Sequence, residues 1–368
     1  MDQEQHEQQV DELLKEIRKL KKSKQKFQDN LRILRKEMRE GYREENALEE
    51  YEREIKYLLN KNGEALNNFT IKKHEKVAHK VYGILQLSDL HLNELVSKGD
   101  AANEYDFLVA AKRLKKFVNR AKQYFRAFGV NRVLIAATGD LLNSDRRKMD
   151  ELLNQATGRA AASVLSVHLL KQVILDVAEE FPTSVTAVVG NESRCDEEMG
   201  FSHNGLVANN YDYSIFQMLK MLFQDKKEIR FLEPKNWIES VVRIGELKFL
   251  LTHGLQLSAS AYSKSVAQLV AKHASQGRII DYTISGHIHE TLITDNASRS
   301  ASLAGANGYS NNSKLNVSGK ASQNLYIVQD KSIDRIAIDL QDVENYQGYS
   351  IVSELEECSA KSVSEKKV

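Results

Sequence analysis

Five short apolar runs in the chain each end in a small residue beside an Asp, Asn or His. Residues 84–87 lead into Ser88-Asp89-Leu90-His91, and residues 133–137 into Thr138-Gly139-Asp140. Residues 185–189 lead into Gly190-Asn191, residues 247–251 into Thr252-His253-Gly254, and residues 282–285 into Gly286-His287-Ile288-His289. Asp89, His91, Asp140, Asn191, His253, His287 and His289 are therefore seven candidate metal ligands. Imidazole, carboxylate and amide oxygen without a thiolate suit a borderline-to-hard divalent ion. Seven side chains exceed one tetrahedral site and fit two ions that share a bridging carboxylate, roughly 3.5–4 Å apart. In Asp89-x-His91 and His287-x-His289, alternate residues point the same way if the segment is extended, so each pair can converge.

Ligands at strand ends need a layered α/β body to hold them, because sites gather where rigid strands open into loops. From Tyr82 to about Leu340 the chain alternates short apolar strands with longer helices, which reads as such a body. We expect four segments: an N-terminal helical part over 1–62, a connector over 63–80, the layered domain over 81–340 and a tail over 341–368. In the first segment Val10, Leu13, Ile17, Leu20, Lys24, Phe27, Leu31, Leu34 and Met38 recur in steps of three and four. That is the heptad spacing of a coiled-coil seam. Gly41 interrupts it, and the pattern resumes at Leu48, Tyr51, Ile55 and Leu58 out of phase. The segment reads as a coiled coil with a stammer or as a helical hairpin turning at Gly41. A stripe this narrow needs a partner helix, so a homo-oligomer is expected.

Composition narrows the class. The 368 residues are 42% hydrophobic and 28% charged, with a net charge of +1, so no global field points to nucleic acid or membrane. Cys195 and Cys358 are too few for a disulfide framework and suit a reducing compartment. The N-terminus lacks the basic start and apolar stretch of a signal peptide. No apolar run is expected to approach the ~20 residues of a membrane span. A soluble, cytoplasmic protein with no membrane partner is the expectation.

The ordered motifs Asp89-x-His91, Gly139-Asp140, Gly190-Asn191, Thr252-His253-Gly254 and Gly286-His287-x-His289 resemble those of the calcineurin-like metallophosphoesterases. The resemblance covers residues 80 to 340. It implies a four-layer αββα sandwich of two mixed sheets. It assigns Asp89, His91 and His289 to one metal and Asn191, His253 and His287 to the other, with Asp140 bridging. The implied ions are manganese, iron or zinc, with manganese expected, and the implied chemistry is two-metal phosphoester hydrolysis. Gly139-Asp140 continues into Leu141-Leu142-Asn143-Ser144 and lacks the Asp-Arg-Gly ending of the protein phosphatases. The chain looks closer to phage and bacterial proteins similar to SbcD-type DNA nucleases.

One position departs from the family. The usual Gly-Asn-His is here Gly190-Asn191-Glu192, followed by Ser193-Arg194. Glu192, if desolvated, can donate a proton to the leaving oxygen. Alternatively Arg194 supplies charge to the phosphate as a bidentate donor, or His203 reaches in from a loop. A carboxylate repels a monoester more than a diester, so a diester is the expected substrate. Residues 107–126 carry seven basic and no acidic side chains, and this basic face is the candidate for tracking DNA phosphates. Arg146, Arg147 and Lys148 lie near the presumed site, and Tyr211 and Tyr213 are candidates for base stacking or helix packing. A DNA-directed phosphodiesterase is the leading expectation. A phosphodiesterase of cyclic or modified nucleotides is the alternative, and a phosphatase or a non-enzymatic scaffold ranks below it.

Overall fold

The computed structural model describes residues 80–96, 103–143, 155–194, 207, 209–306 and 319–351, together with residues 21, 22, 24–26, 28 and 29, which are helical. The chain divides into two compact units, Met1–Tyr57 and Leu58–Val368. The apolar heptad positions from Val10 to Met38 and from Leu48 to Leu58, Gly41, residues 63–79, the Arg146-Arg147-Lys148 run, His203 and residues 353–368 lie outside the described residues.

In the second unit, strands form where β-branched and apolar residues run together. β1 (Val81–Leu87), β2 (Arg132–Thr138), β3 (Thr183–Val188) and β4 (Ile229–Phe231) lie parallel, and β10 (Ser322–Gln329) and β11 (Ser332–Asp339) join β1 as an antiparallel hairpin. The first three strands are buried on both faces, which is why they read as continuous apolar runs rather than alternating ones. At the sheet edge, β11 mixes charged and apolar residues and is largely exposed or half-buried. A second mixed sheet has the order β5 (Glu239–Ile244), β6 (Leu247–Thr252), β7 (Tyr282–Ser285), β9 (Ala297–Arg299), β8 (Leu292–Ile293). There β6, β7 and β9 run parallel.

The two sheets meet in one core. Ile84, Leu134, Ala136 and Val188 of the first pack with Phe249, Leu251, Tyr282 and Ile284 of the second. Each fully buried Leu, Ile or Phe here contributes roughly 1.5–3 kcal/mol. Helices α1 (Phe107–Ala127), α2 (Arg159–Ala178) and α3 (Tyr211–Leu222) pack on one another and on the first sheet. Helix α4 (Tyr262–Ser275) lays Tyr262, Val266 and Leu269 against Leu250 and Ala297 of the second. The result is the expected four-layer αββα sandwich.

Local signals set the helix ends. Asp106 caps α1 by accepting the N–H of Val109 at 2.8 Å. Gly129, with φ +65°, ends it, and the N–H of Val130 returns to the carbonyl of Phe125 at 2.8 Å.

Two sequence expectations need correction. Helix α2 is long and apolar enough to cross a membrane, with a mean hydropathy of 1.5, against the expectation that no such run exists. Its apolarity has a packing cause, since 67% of that stretch is buried inside the protein. Residues 341–351, expected to begin a tail, lie across α1 and α2 instead. The N–H of Tyr349 reaches the carbonyl of Ala111, and its hydroxyl donates to Asp176 at 2.8 Å.

Candidate metal centre

The parallel alignment of β1, β2 and β3 brings their C-terminal ends to one edge, and the pairing carries on into the loops. Asp89 N–H donates to the Gly139 carbonyl at 3.0 Å and His91 N–H to the Asp140 carbonyl at 3.1 Å. In the second sheet, Gly286 N–H donates to the His253 carbonyl at 2.8 Å. The sheets are tied at the same edge. Gln86 Nε2 donates to the Ser285 carbonyl, and His287 N–H donates to the Asp89 carboxylate at 3.0 Å.

Five of the seven candidate ligands, Asp89, His91, Asp140, His287 and His289, hold a left-handed backbone with φ between 45° and 78°. Asp330, in the β10–β11 turn, is the sole other non-glycine residue of this kind among the described residues. Each such conformation costs of order 1–3 kcal/mol and persists only where its surroundings enforce it. It turns the side chains at the strand ends inward, a geometry different from the extended one expected for Asp89-x-His91 and His287-x-His289. Close approach also dictates the glycines. A Cβ on Gly190 would stand 2.0 Å from Asp140 Oδ1, and one on Gly286 would stand 2.2 Å from Asp89 Oδ2.

The side chains gather in two groups. Ligand atoms of Asp89, His91 and His289 lie within 4.8 Å of one another, as do those of Asp140, His253 and His287. In the first group His91 Nε2 is 3.0 Å from His289 Nε2, and His289 Nε2 is 3.4 Å from Asp89 Oδ1. In the second, His253 Nε2 is 2.9 Å from Asp140 Oδ2 and 3.1 Å from Asn191 Oδ1. The His253 and His287 rings sit edge to face with centroids 5.0 Å apart.

This donor set fits a cation. His253 Nδ1 faces the Thr138 carbonyl at 2.9 Å, an acceptor only, so that nitrogen carries the hydrogen. The neutral ring then turns the Nε2 lone pair toward two oxygens, Asp140 Oδ2 and Asn191 Oδ1. His91 is oriented in the same way, donating from Nδ1 to Asn143 Oδ1. Asp140 Oδ2 is buried and, among the described residues, faces no donor when the His253 ring is neutral. Converging lone pairs of this kind require a proton or a metal ion among them.

Without a metal, protons take that place. Burial disfavours charge on His253, but the Asp140 carboxylate outweighs it and pushes the imidazole up to about 10. His289 is raised in the same way, burial opposing and Asp89 prevailing. His287 is lowered to about 4 by burial and then by the His253 charge, and His91 is lowered by burial and His289. Asp89 and Asp140 lie below the usual carboxylate range, because their imidazole partners overcome burial. Each group thus pairs one imidazolium with one carboxylate.

Residues missed in the sequence hold this frame. Asp212 Oδ2 accepts the N–H groups of Asp140 and Gly190, and its Oδ1 accepts that of Leu141. Burial, then the Asp140 charge, raises the Asp212 carboxyl to about 6. Asn210 caps α3 and donates to the Gly190 carbonyl at 2.9 Å. Asn93 exchanges two hydrogen bonds with the backbone of Asn143. The one signal that could have found Asn210 is its place before the apolar run of α3, and nothing in the sequence links it to the Gly139-Asp140 loop.

The remaining expectations divide. Glu192 is half-buried beside the second group: its N–H donates to Asp140 Oδ1 at 2.7 Å, and its Oε1 accepts from Asn191 Nδ2 at 2.7 Å. Arg194 is bridged through its backbone to Asn210. Tyr213 packs edge to face on Trp237. Part of the basic face of α1 is engaged within the protein. Lys115 and Lys122 pair with Asp176, Lys122 and Arg126 with Glu180, and Arg113 is buried on the carbonyls of Leu303 and Ala304.

No model of a known protein family matches the chain, and no curated protein matches it. Solved structures align with it at low identity. Vps29 of Entamoeba histolytica complexed with zinc is 14% identical, with a TM-score of 0.30, over 70% of this chain and 99% of that one. A predicted phosphoesterase of Streptococcus pneumoniae TIGR4 is 10% identical, with a TM-score of 0.29, over 74% and 95%. The 5'-nucleotidase of Candida albicans SC5314 is 9% identical, with a TM-score of 0.36, over 74% and 54%.

Proposed function

We propose that the chain is a metal-dependent phosphoester hydrolase acting on diesters. The observation that carries this reading is the pair of Asp-His groups converging at the strand ends, with Asp140 Oδ2 buried 2.9 Å from His253 Nε2. Asp89, His91 and His289 would hold one divalent ion, Asn191, His253 and His287 the other, and Asp140 both. Manganese is the leading candidate, with iron and zinc as alternatives. Bound ions of this kind supply Lewis acidity toward a phosphoryl oxygen and lower the pKa of water.

The chain's own residues do the rest. Thr138 and Asn143 fix the His253 and His91 tautomers so that Nε2 lone pairs face inward. Glu192, beside Asn191, is placed to protonate the leaving oxygen, with Arg194 as the alternative source of positive charge. His203 is the third candidate for that role.

Between the two diester classes, the state of α1 favours a small molecule over DNA. Lys115, Lys122 and Arg126 are engaged with Asp176 and Glu180, and Arg113 and Lys116 with backbone carbonyls, which leaves less charge for phosphates along a strand. Residues 1–62 are proposed as an oligomerisation segment. The test is a substrate panel with manganese: single- and double-stranded DNA, RNA, cyclic nucleotides, and a chromogenic diester and monoester. Turnover of the chromogenic diester and cyclic nucleotides above that of DNA is the expected pattern. No metal-stimulated turnover of any ester sinks the reading.

A further inference from the structure

A cavity of about 400 Å³ opens beside the second ligand group, and Gly190, Asn191 and His253 form part of its wall. Val189, Ile238, Leu255, Thr252, Gln256 and Glu239 also line it. The size is that of a site for a small organic group.

Three features define what fits. First, among the described residues that line the cavity there is no Lys or Arg to meet a second phosphate. Second, the polar groups it contains are already engaged. Gln256 Nε2 donates to Thr252 Oγ1 at 2.9 Å, and the Glu239 carboxylate takes Lys272 at 3.0 Å and His273 at 3.0 Å. Third, Ile238 and Leu255 are only half-buried, leaving branched apolar surface toward the space. An uncharged apolar group gains from covering that surface, whereas a charged one would be desolvated without a partner.

We propose that this cavity is the subsite for the organic group esterified to the phosphate, an uncharged apolar moiety of ring size. The inference rests on the phosphoester reading above, because the phosphoryl group would lie at the ligand cluster that shares Asn191 and His253 with the cavity. An aryl group presents this chemistry throughout, and a nucleobase presents it on its ring faces only.

The test uses the metal-loaded full chain and measures by calorimetry the binding of methylphosphonate, phenylphosphonate and a nucleoside 5'-phosphonate, each as its monomethyl ester so that it carries the single negative charge of a diester. Phenylphosphonate or the nucleoside phosphonate should bind at least about tenfold tighter than methylphosphonate, the scale on which apolar pockets discriminate. Leu255→Trp and Ile238→Trp, made separately, fill the space from two sides. Each should shrink that preference toward one, with the metal content per chain unchanged. If the nucleoside phosphonate binds tighter than phenylphosphonate, the occupant is a base; the reverse order makes it an aryl group. Equal binding of all three, or a preference that survives both Trp variants, overturns the subsite while leaving the phosphoester site in place. Failure of every phosphonate to bind metal-loaded protein overturns both.

Discussion

Asp212 accepts the backbone N–H of Asp140 at 3.0 Å, and the same oxygen accepts that of Gly190 at 2.8 Å. One buried carboxylate thereby joins the loops after β2 and β3. It also holds Asp140 at φ +55°, a conformation the residue does not adopt readily by itself. Asp212→Asn sets an amide N–H against a backbone N–H or loses one acceptor. The expected result is destabilisation by about 1–3 kcal/mol and a roughly 10–100-fold loss of metal affinity. Calorimetric titration and thermal denaturation measure both, and unchanged values would remove Asp212 from the frame of the site.

Asp140→Ala should disturb both metal positions, so the variant should hold no more than one tightly bound ion per chain by elemental analysis. Retention of two ions would refute bridging by Asp140. His253→Ala should abolish turnover and leave the circular dichroism spectrum intact, because the core between the sheets is separate from the ligand edge. Chelation of the wild-type chain should likewise abolish turnover, and added manganese should restore it.

The His253–Asp140 pair makes stability depend on pH in the metal-free protein. The imidazole is raised from 6.5 to about 10 on folding. Its contribution is therefore fully present below about pH 6.5 and is lost as pH rises through 10. Metal-free protein should show a falling Tm over that interval, and the loaded protein a smaller fall. Metal binding at pH 7.5 should also release protons, measured by calorimetry in buffers of different ionisation enthalpy. Binding enthalpies that do not vary with the buffer contradict this.

Glu192→Gln keeps volume and removes the acid. If Glu192 protonates the leaving group, diesters of poor leaving groups should slow by roughly 10²–10⁴-fold, and a nitrophenyl diester far less. Equal losses would mean that Glu192 orders water or metal. No loss on either would shift attention to Arg194 and His203. Glu192→His should raise monoester turnover.

Deleting residues 1–62 should lower the mass in light scattering and leave small-diester turnover near wild type. A full-length chain that is already monomeric at micromolar concentration contradicts the oligomerisation proposal.

The strand-end ligands were legible because each is local. A buried parallel strand reads as an apolar run, and the ligand follows it within a few residues, as in residues 84–91 and 133–140. Three things lay beyond the sequence, each because it depends on partners far along the chain. Lys115, Lys122 and Arg126 of α1 looked like part of a free basic face until packing set Asp176 of α2 and Glu180 just beyond it against them. The apolarity of α2 became a core property only once the protein buried it. Asp212 lies 72 residues from Asp140, and the left-handed turns at Asp89, His91, Asp140, His287 and His289 are held by contacts between sheets and loops rather than by residue preference. Side-chain types and spacing decided which chemistry is available. The tertiary structure decided which donors meet, because unsatisfied buried polar groups must find partners through space.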